Sequence, residues 1–324
     1  MSWLVTGGAG YIGAHVVRAF GEVGLETVVV DDLSSGHRSF VGDGTAFVEG
    51  SIVDTDLVER TIRDHGVEGV VHIAGFKYAG VSVERPLHTY TQNVTGTVSL
   101  LEAMQRTGVG RIVFSSSAAT FGTPDVDVVT EGTPTHPESP YGESKLIGEW
   151  LLRDQATATG LAHTSLRYFN VVGSGYDDLY DTSPHNLFPI VFDTLLSGGT
   201  PRIHGDDYPT SDGTCVRDYI HVADLARSHV VAAQRLSAGE DLEAVYNLGS
   251  GTGSSVREIM AAVREVTGID FTPEVGPRRA GDPARIVASG ELAGRDLDWR
   301  MRHTLTEMVA SAWEARRSHA GGAR

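Results

Sequence analysis

The sequence holds a single cysteine, Cys215, so no intrachain disulfide can form and a thiolate zinc site cannot be built. A chain that does without disulfides suits a reducing compartment, and the cytoplasm is the expected location. Positive charge is scarce: 26 Lys and Arg stand against 42 Asp and Glu, for a formal net charge of −16. No basic field exists to neutralise phosphates or anionic lipid, which excludes nucleic acid and membrane as partners. An anionic ligand would have to be met by a local cluster of cations. No apolar run reaches membrane-spanning length. The chain opens almost directly on a strand, without the charged and apolar regions of a secretory leader. No metal is expected. Aromatics make up only 7%, but the 40% hydrophobic fraction is ample for the core of an α/β protein of two domains or one large one.

What the sequence does have is an N-terminal strand, Trp3–Val5, running into Thr6-Gly-Gly-Ala-Gly-Tyr-Ile-Gly13 and then an apolar-periodic helix from about Ala14 to Glu22. Gly8, Gly10 and Gly13 satisfy G-x-G-x-x-G, and Gly7, Gly10 and Gly13 the related G-x-x-G-x-x-G. Such a turn lets backbone N–H groups approach a pyrophosphate at a helix N-terminus. A glycine turn can also serve plain structure. Here a second strand, Glu26–Val30, ends at Asp31-Asp32, the right distance on for a carboxylate to bond a ribose 2′-OH. A carboxylate there repels a 2′-phosphate and favours NAD over NADP, although Arg38 follows a few residues later.

The alternation continues with a strand at 46–48, a helix at 55–65, a strand at 69–73, a long helix at about 86–106 and a strand at 111–114. Residues just past the C-terminal ends of parallel strands face the ligand crevice, which places Ala74, Gly75, Lys77 and Ser117 there. His72 lies inside a strand and reads as a core residue. Ser139 is the expected N-cap of the next helix, with Leu146, Trp150 and Leu151 on its apolar side, and 161–166 is a sixth strand. Beyond Val171 the rhythm breaks. The reading is an irregular stretch at 173–184, helices near 186–196, 223–236, 255–267 and 305–316, short strands at 201–205, 214–222 and 245–249, and a frayed tail from Ser318. The expected division is a doubly wound parallel sheet over residues 1–170, rejoined by about 214–245, and a smaller α/β domain over most of 171–324.

Tyr141 and Lys145 stand four apart on one face of a predicted helix, where an ammonium beside a phenol would favour the phenolate. With Ser117 they form a candidate acid–base group. Arg217 and the pair Arg278 and Arg279 lie on predicted loops and suit phosphate oxygens, with the roles of Arg278 and Arg279 not separable by sequence.

These motifs make the chain resemble the extended short-chain dehydrogenase/reductase family over nearly its whole length, and within it the UDP-hexose 4-epimerase branch. The resemblance rests on Val5–Gly13, Ala74–Lys77, Phe114–Ser117, Ser139–Lys145, Leu166–Asn170 and Tyr246–Gly249. It extends to Arg278–Asp282, and its more specific part is Tyr208-Pro-Thr210, Asp212-Gly-Thr214 and Val216–Val222. It implies a Rossmann fold, a homodimer formed through the 86–106 and Tyr141 helices, and reversible C4 epimerisation of UDP-galactose and UDP-glucose with tightly bound NAD. Tyr141 is then the base and acid, Lys145 sits on the nicotinamide ribose, and Ser117 bonds the sugar O4. Cofactor contacts implied are Gly7, Gly10, Tyr11, Ile12, Gly13, Asp31 and Ile52, then Ala74, Gly75, Lys77, Asn93, Ser115 and Tyr168. Substrate contacts implied are Lys77, Phe169, Asn170, Asn186, Leu187 and His204, then Arg217, Tyr219, Arg279, Asp282 and Ile286.

The sequence departs from the family at three of these places. Ser51 replaces an adenine-binding Asp, His204 replaces a Phe, and Ile286 holds the position that governs room for an N-acetyl group, leaving UDP-N-acetylhexosamines open. The 4-epimerisation of a UDP-pentose or UDP-uronate is an alternative. A sugar dehydratase would carry an acidic pair after Ser117, where Ala118 and Ala119 stand. A non-catalytic NAD-binding regulator would have lost Tyr141, Lys145 or Ser117, and all three are present.

Overall fold

The computed structural model describes residues 2–279 and 282–320. Ala280 and Gly281, inside the Arg278–Asp282 motif, and residues 321–324 of the expected frayed tail lie outside the described residues. The first half runs β1 (Ser2–Thr6), α1 (Tyr11–Glu22), β2 (Glu26–Asp31), β3 (Ala46–Glu49), α2 (Thr55–Asp64) and β4 (Val67–His72). It continues with α3 (Ala79–Glu84), α4 (Pro86–Tyr90), α5 (Gly96–Thr107), β5 (Arg111–Ser115), α6 (Pro140–Thr159) and β6 (Ala162–Tyr168). The second half comprises β7 (Asn170–Val172), α7 (Leu187–Leu196), β8 (Arg202–His204), β9 (Val216–Arg217), β10 (Tyr219–His221), α8 (Val222–Ser237) and β11 (Val245–Leu248). After it come β12 (Ser254–Ser255), α9 (Val256–Thr267), β13 (Glu274–Gly276), β14 (Arg285–Ile286), α10 (Glu291–Leu297) and α11 (Leu305–Ala320).

Seven strands form one parallel sheet in the order β3-β2-β1-β4-β5-β6-β11. The strand order reverses between β1 and β4, and the crevice of a doubly wound sheet opens at such a reversal. Alternation along β1 feeds both faces. Trp3 and Val5 join Phe20, Leu225 and Val230 beneath α1 and α8, while Leu4 joins Val28, Ile62, Leu100 and Leu152 beneath α2, α5 and α6. A separate core holds α7, α9 and α11 together around Phe192, Val263 and Trp313. His72 is buried in the sheet as expected, meeting Thr6 Oγ1 at 2.8 Å and Thr97 Oγ1 at 3.0 Å.

The long helix expected over 86–106 is present as one continuous helical run, Pro86–Thr107, with a π-helical turn at Thr91–Thr95 between α4 and α5. It carries Asn93, whose side chain works on a neighbouring loop, and π-turns in helices often mark such positions. On the expected apolar side of α6, Leu146 is buried and Leu151 packs against the core, but Trp150 is 47% exposed, and the buried face also takes Gly142, Ser144, Lys145, Gly148, Glu149 and Leu152. Gly148 lies against the Phe114 ring, so this face is chosen by close approach as much as by hydrophobicity. The 214–222 strand is split at Asp218, whose buried carboxylate accepts the N–H groups of Ser250 and Ala288, each at 3.0 Å. α11 runs through Ser318, where a frayed tail was expected to begin.

Candidate active site

The glycine turn closes on itself tightly enough to fix residue type. Gly7 has φ +74, and a Cβ there would strike the backbone of Ala74; a Cβ on Gly13 would overlap the carbonyl of Gly7. The turn therefore leaves an open cradle at the N-terminus of α1. Asp31, at the end of β2, accepts N–H bonds from Ala9 and Leu33, both at 2.9 Å, and also lines the cavity. Burial raises its pKa, with those two amides opposing. This cradle, a helix N-terminus and a carboxylate beyond it, fits a dinucleotide. Arg38 is committed elsewhere, donating to the Val41 carbonyl at 2.9 Å with its guanidinium 4.6 Å from the Phe47 ring. No cation of that loop is thus offered to a 2′-phosphate.

The cavity measures about 830 Å³ and runs from this turn past Tyr141 to the second half of the chain. Expected residues on its wall near the turn are Gly7, Gly10, Tyr11, Ile12, Gly13 and Asp31. Ile52, Ala74, Gly75, Lys77, Tyr168 and Phe169 follow, with Tyr141 and Lys145 between the two ends. Asn170, Asn186, Leu187, His204, Arg217 and Tyr219 line the far side with Arg279 and Asp282.

Ser139 caps α6 by accepting the Gly142 N–H at 3.2 Å, and this aims the first turn at the crevice. Tyr141 is held by its own N–H to Ser82 Oγ at 3.1 Å. Lys145 Nζ donates to the Ser115 carbonyl at 2.9 Å and lies 6.0 Å from the centre of the Tyr141 ring. Burial brings the Lys145 pKa down to about 8, with Glu149 opposing. Tyr141 differs from expectation: burial raises its pKa, and the neighbouring Ser117 hydroxyl, not Lys145, pulls it down. The ammonium is turned onto a carbonyl, which satisfies it without drawing on the phenol. Ser117 also accepts the Ala119 N–H at 3.1 Å, so it caps a short turn and faces the tyrosine at once.

At the far end the two adjacent arginines separate. Arg278 is bound to Asp207 at 2.6 Å and lies 4.2 Å from the Tyr208 ring centre, whereas Arg279 lines the cavity. Arg217 pairs with Asp282 at 2.7 Å on the cavity wall. Arg202 and Arg316 also reach the cavity and were not singled out by sequence.

Four expected residues stand off the wall. Asn93 is buried and grips Phe76, accepting its N–H at 2.6 Å and donating to its carbonyl at 3.0 Å. Ser115 is buried, with its hydroxyl 2.8 Å from His229 Nε2. Ser117 is partly exposed beside the Tyr141 phenol, and Ile286 sits half-buried on β14, paired in register with Arg217. Sequence reasoning missed Glu149, which accepts from both Arg167 Nε at 2.8 Å and Nη2 at 2.6 Å and from Ser116 Oγ at 2.5 Å beneath Lys145. Its place one turn after Lys145 was the available signal. Asp181 was missed as well; it faces the cavity from the irregular stretch and accepts the Asn186 amide at 2.7 Å.

A doubly wound sheet, a glycine cradle with Asp31, and a Tyr/Lys pair at the crevice define an NAD-dependent enzyme of the short-chain dehydrogenase/reductase class. The chain belongs to the NAD dependent epimerase/dehydratase family, whose model matches residues 3–249. It is 43% identical to a UDP-glucose 4-epimerase of Corynebacterium glutamicum over 97% of this chain and 95% of the relative. Identity to one of Streptomyces lividans is 44%, over 99% and 97%. Among solved structures it superposes on UDP-glucose-4-epimerase from Stenotrophomonas maltophila, crystallised with bound NAD and formylated UDP-arabinopyranose, at a TM-score of 0.95 and 38% identity over all of both chains.

Proposed function

We propose that this protein is an isomerase that interconverts UDP-galactose and UDP-glucose by inverting C4, using NAD that it retains. The observation that carries the reading is a single cavity with a dinucleotide cradle at one end, arginines at the other and Tyr141 between them. The UDP-glucose 4-epimerases to which the chain is similar support it over a full-length match.

Tyr141 takes the O4 proton and later returns it, acting as base and then acid. Ser117 bonds O4 and stabilises the phenolate. Lys145 holds the nicotinamide ribose and keeps a positive charge beneath it. Gly7, Gly10 and Gly13 admit the pyrophosphate, and Asp31 takes the adenosine ribose. The nicotinamide, when bound, supplies a hydride acceptor whose reduced form gives the hydride back. Arg217 and Arg279 hold the substrate diphosphate while the 4-keto sugar turns over to present its other face. Ala118 and Ala119, in the turn after Ser117, offer no acid–base pair for eliminating water.

Residues 1–170 with α8 and β11 serve the cofactor, and most of the remainder serves the UDP-sugar. The protein acts in the cytoplasm as a homodimer. Support for the dimer comes from the exposed apolar side chains of Val83, Leu87, Val98 and Trp150 on α3 to α6. A monomer by light scattering at working concentration would remove that assignment. The activity is tested with purified protein and UDP-galactose, no NAD being added. UDP-glucose should appear, and silence even with added NAD would overturn the reading.

A further inference from the structure

One part of the cavity wall beside Tyr141 has no role in the chemistry above. Tyr78 meets His185 edge-on at 4.7 Å between ring centres and 70°, and Phe76 meets Tyr78 at 5.5 Å and His88 at 5.1 Å. All four rings line the cavity. The segment carrying Phe76 and Tyr78 is firmly seated, while His185 is exposed. Asn93 fixes the backbone of Phe76 and donates to Ser144 Oγ at 2.8 Å, and Ser144 donates to the Tyr141 carbonyl at 2.7 Å. Ser82, in α3 directly after Tyr78, accepts the Tyr141 N–H. The segment carrying Tyr78 is thus fastened twice to the turn that carries the reacting tyrosine. His185 arrives from the opposite side of the crevice, one residue before Asn186 at the start of α7. The Tyr78–His185 contact therefore joins the segment fastened to the Tyr141 backbone to the segment that leads into α7, across the cavity.

We propose that Tyr78 and His185 form a size gate on the sugar, limiting the bulk of the substituents a hexose ring can carry through the reaction. The inference rests on the epimerase reading and deepens it. A hexose that inverts at C4 must turn over within the cavity, so the wall has to clear each substituent in two orientations. A bulky acylamino group then costs more in turnover than in binding, because binding needs only one orientation. Rigid rings supported from both sides of the crevice cannot swing away as a long flexible side chain would.

The test uses the full chain with its cofactor and the variants Tyr78→Ala, Tyr78→Phe and His185→Ala. Rates with UDP-galactose and UDP-N-acetylgalactosamine are compared, and UDP affinity is measured by calorimetry. Tyr78→Ala should raise the ratio of kcat/KM for the N-acetylated over the plain sugar at least tenfold, through kcat, with UDP affinity within twofold. His185→Ala should move the ratio the same way, and Tyr78→Phe, which keeps the ring, should match the wild type. A ratio within twofold of wild type in Tyr78→Ala would overturn the gate. Equal behaviour of Phe and Ala would do so too, since it would point to the Ser183 hydroxyl beside the phenol rather than to ring bulk. If the wild type turns over neither sugar, the epimerase reading fails. The gate, which acts on turnover, falls with it, whereas an active wild type with an unmoved ratio in Tyr78→Ala rejects the gate alone.

Discussion

Tyr141, the proposed base, has surroundings that work against that role, since burial favours the neutral phenol and the protein group helping the anion is the Ser117 hydroxyl. A positive nicotinamide ring, when bound, would supply the opposite charge that favours the phenolate. Tyr141→Phe should lower kcat by about 10²–10⁴-fold, the usual worth of a positioned acid–base group, while absorbance of bound NAD stays at the wild-type level. Unchanged kcat would remove Tyr141 from the chemistry. Glu149 sits one turn below Lys145 and carries a different load. Its side chain and that of Arg167 are each 6% exposed, and the Arg167 Nη1 already lacks a partner. Glu149→Gln strands the guanidinium and should cost about 3–5 kcal/mol, read from urea unfolding at neutral pH. A loss under about 1 kcal/mol would show that the pair adds nothing. Glu149 also opposes the fall in the Lys145 pKa, so the variant should lose the Lys145 charge at lower pH than about 8.

At the scale of elements, the βα units were legible because a buried parallel strand reads as a short apolar run and a helix as a 3.6-residue period. The glycine turn, Asp31 and the Tyr/Lys spacing were legible for the same reason, each being local. The π-turn inside the long helix was not. Thr91–Thr95 is rich in weak helix formers, yet that does not specify a π register, which goes with Asn93 reaching across to Phe76. Nor did Trp150 announce its exposure, since the buried face of α6 is set by Glu149, Gly148 and Lys145 meeting partners from distant segments. Arg278 and Arg279 separated only when Asp207 and Tyr208 came into place around the first of them. Asn93→Ala tests the π-turn directly. It removes three side-chain hydrogen bonds and leaves the Phe76 N–H without its acceptor, which should destabilise by on the order of 2–3 kcal/mol. KM for UDP-galactose should rise as well, because Lys77 and Tyr78 hang on the loosened loop. A stable variant with unchanged KM would show that the loop needs no such anchor.

Across the whole molecule, Lys145 is tied to the far side of the sheet. Lys145 donates to the carbonyl of Ser115, and the hydroxyl of Ser115 meets His229 on α8, whose other ring nitrogen donates to the Leu225 carbonyl at 2.9 Å. Burial brings the ring's pKa down to about 4, which keeps it neutral at physiological pH, and in that form Nε2 accepts from Ser115. Unfolded, the same histidine titrates near 6.5. Between those values the unfolded chain binds the extra proton, so this group's contribution to stability falls as pH falls, by about 1.4 kcal/mol per unit. His15 and His221, also brought to about 4, add slopes of the same sign. Asp31, Asp181 and Asp218, raised by burial, add slopes of the opposite sign. A comparison with His229→Gln cancels all of these. The amide can donate to Leu225 and accept from Ser115 but cannot titrate. The gap in unfolding free energy between wild type and variant should therefore narrow steadily as pH drops from 6.5 to 5, while staying constant above pH 7.5. Urea midpoints at several pH values decide it. Parallel curves throughout would mean that His229 titrates alike in the folded and unfolded chain, and the link from α8 to Lys145 would have to run without a histidine held neutral by burial.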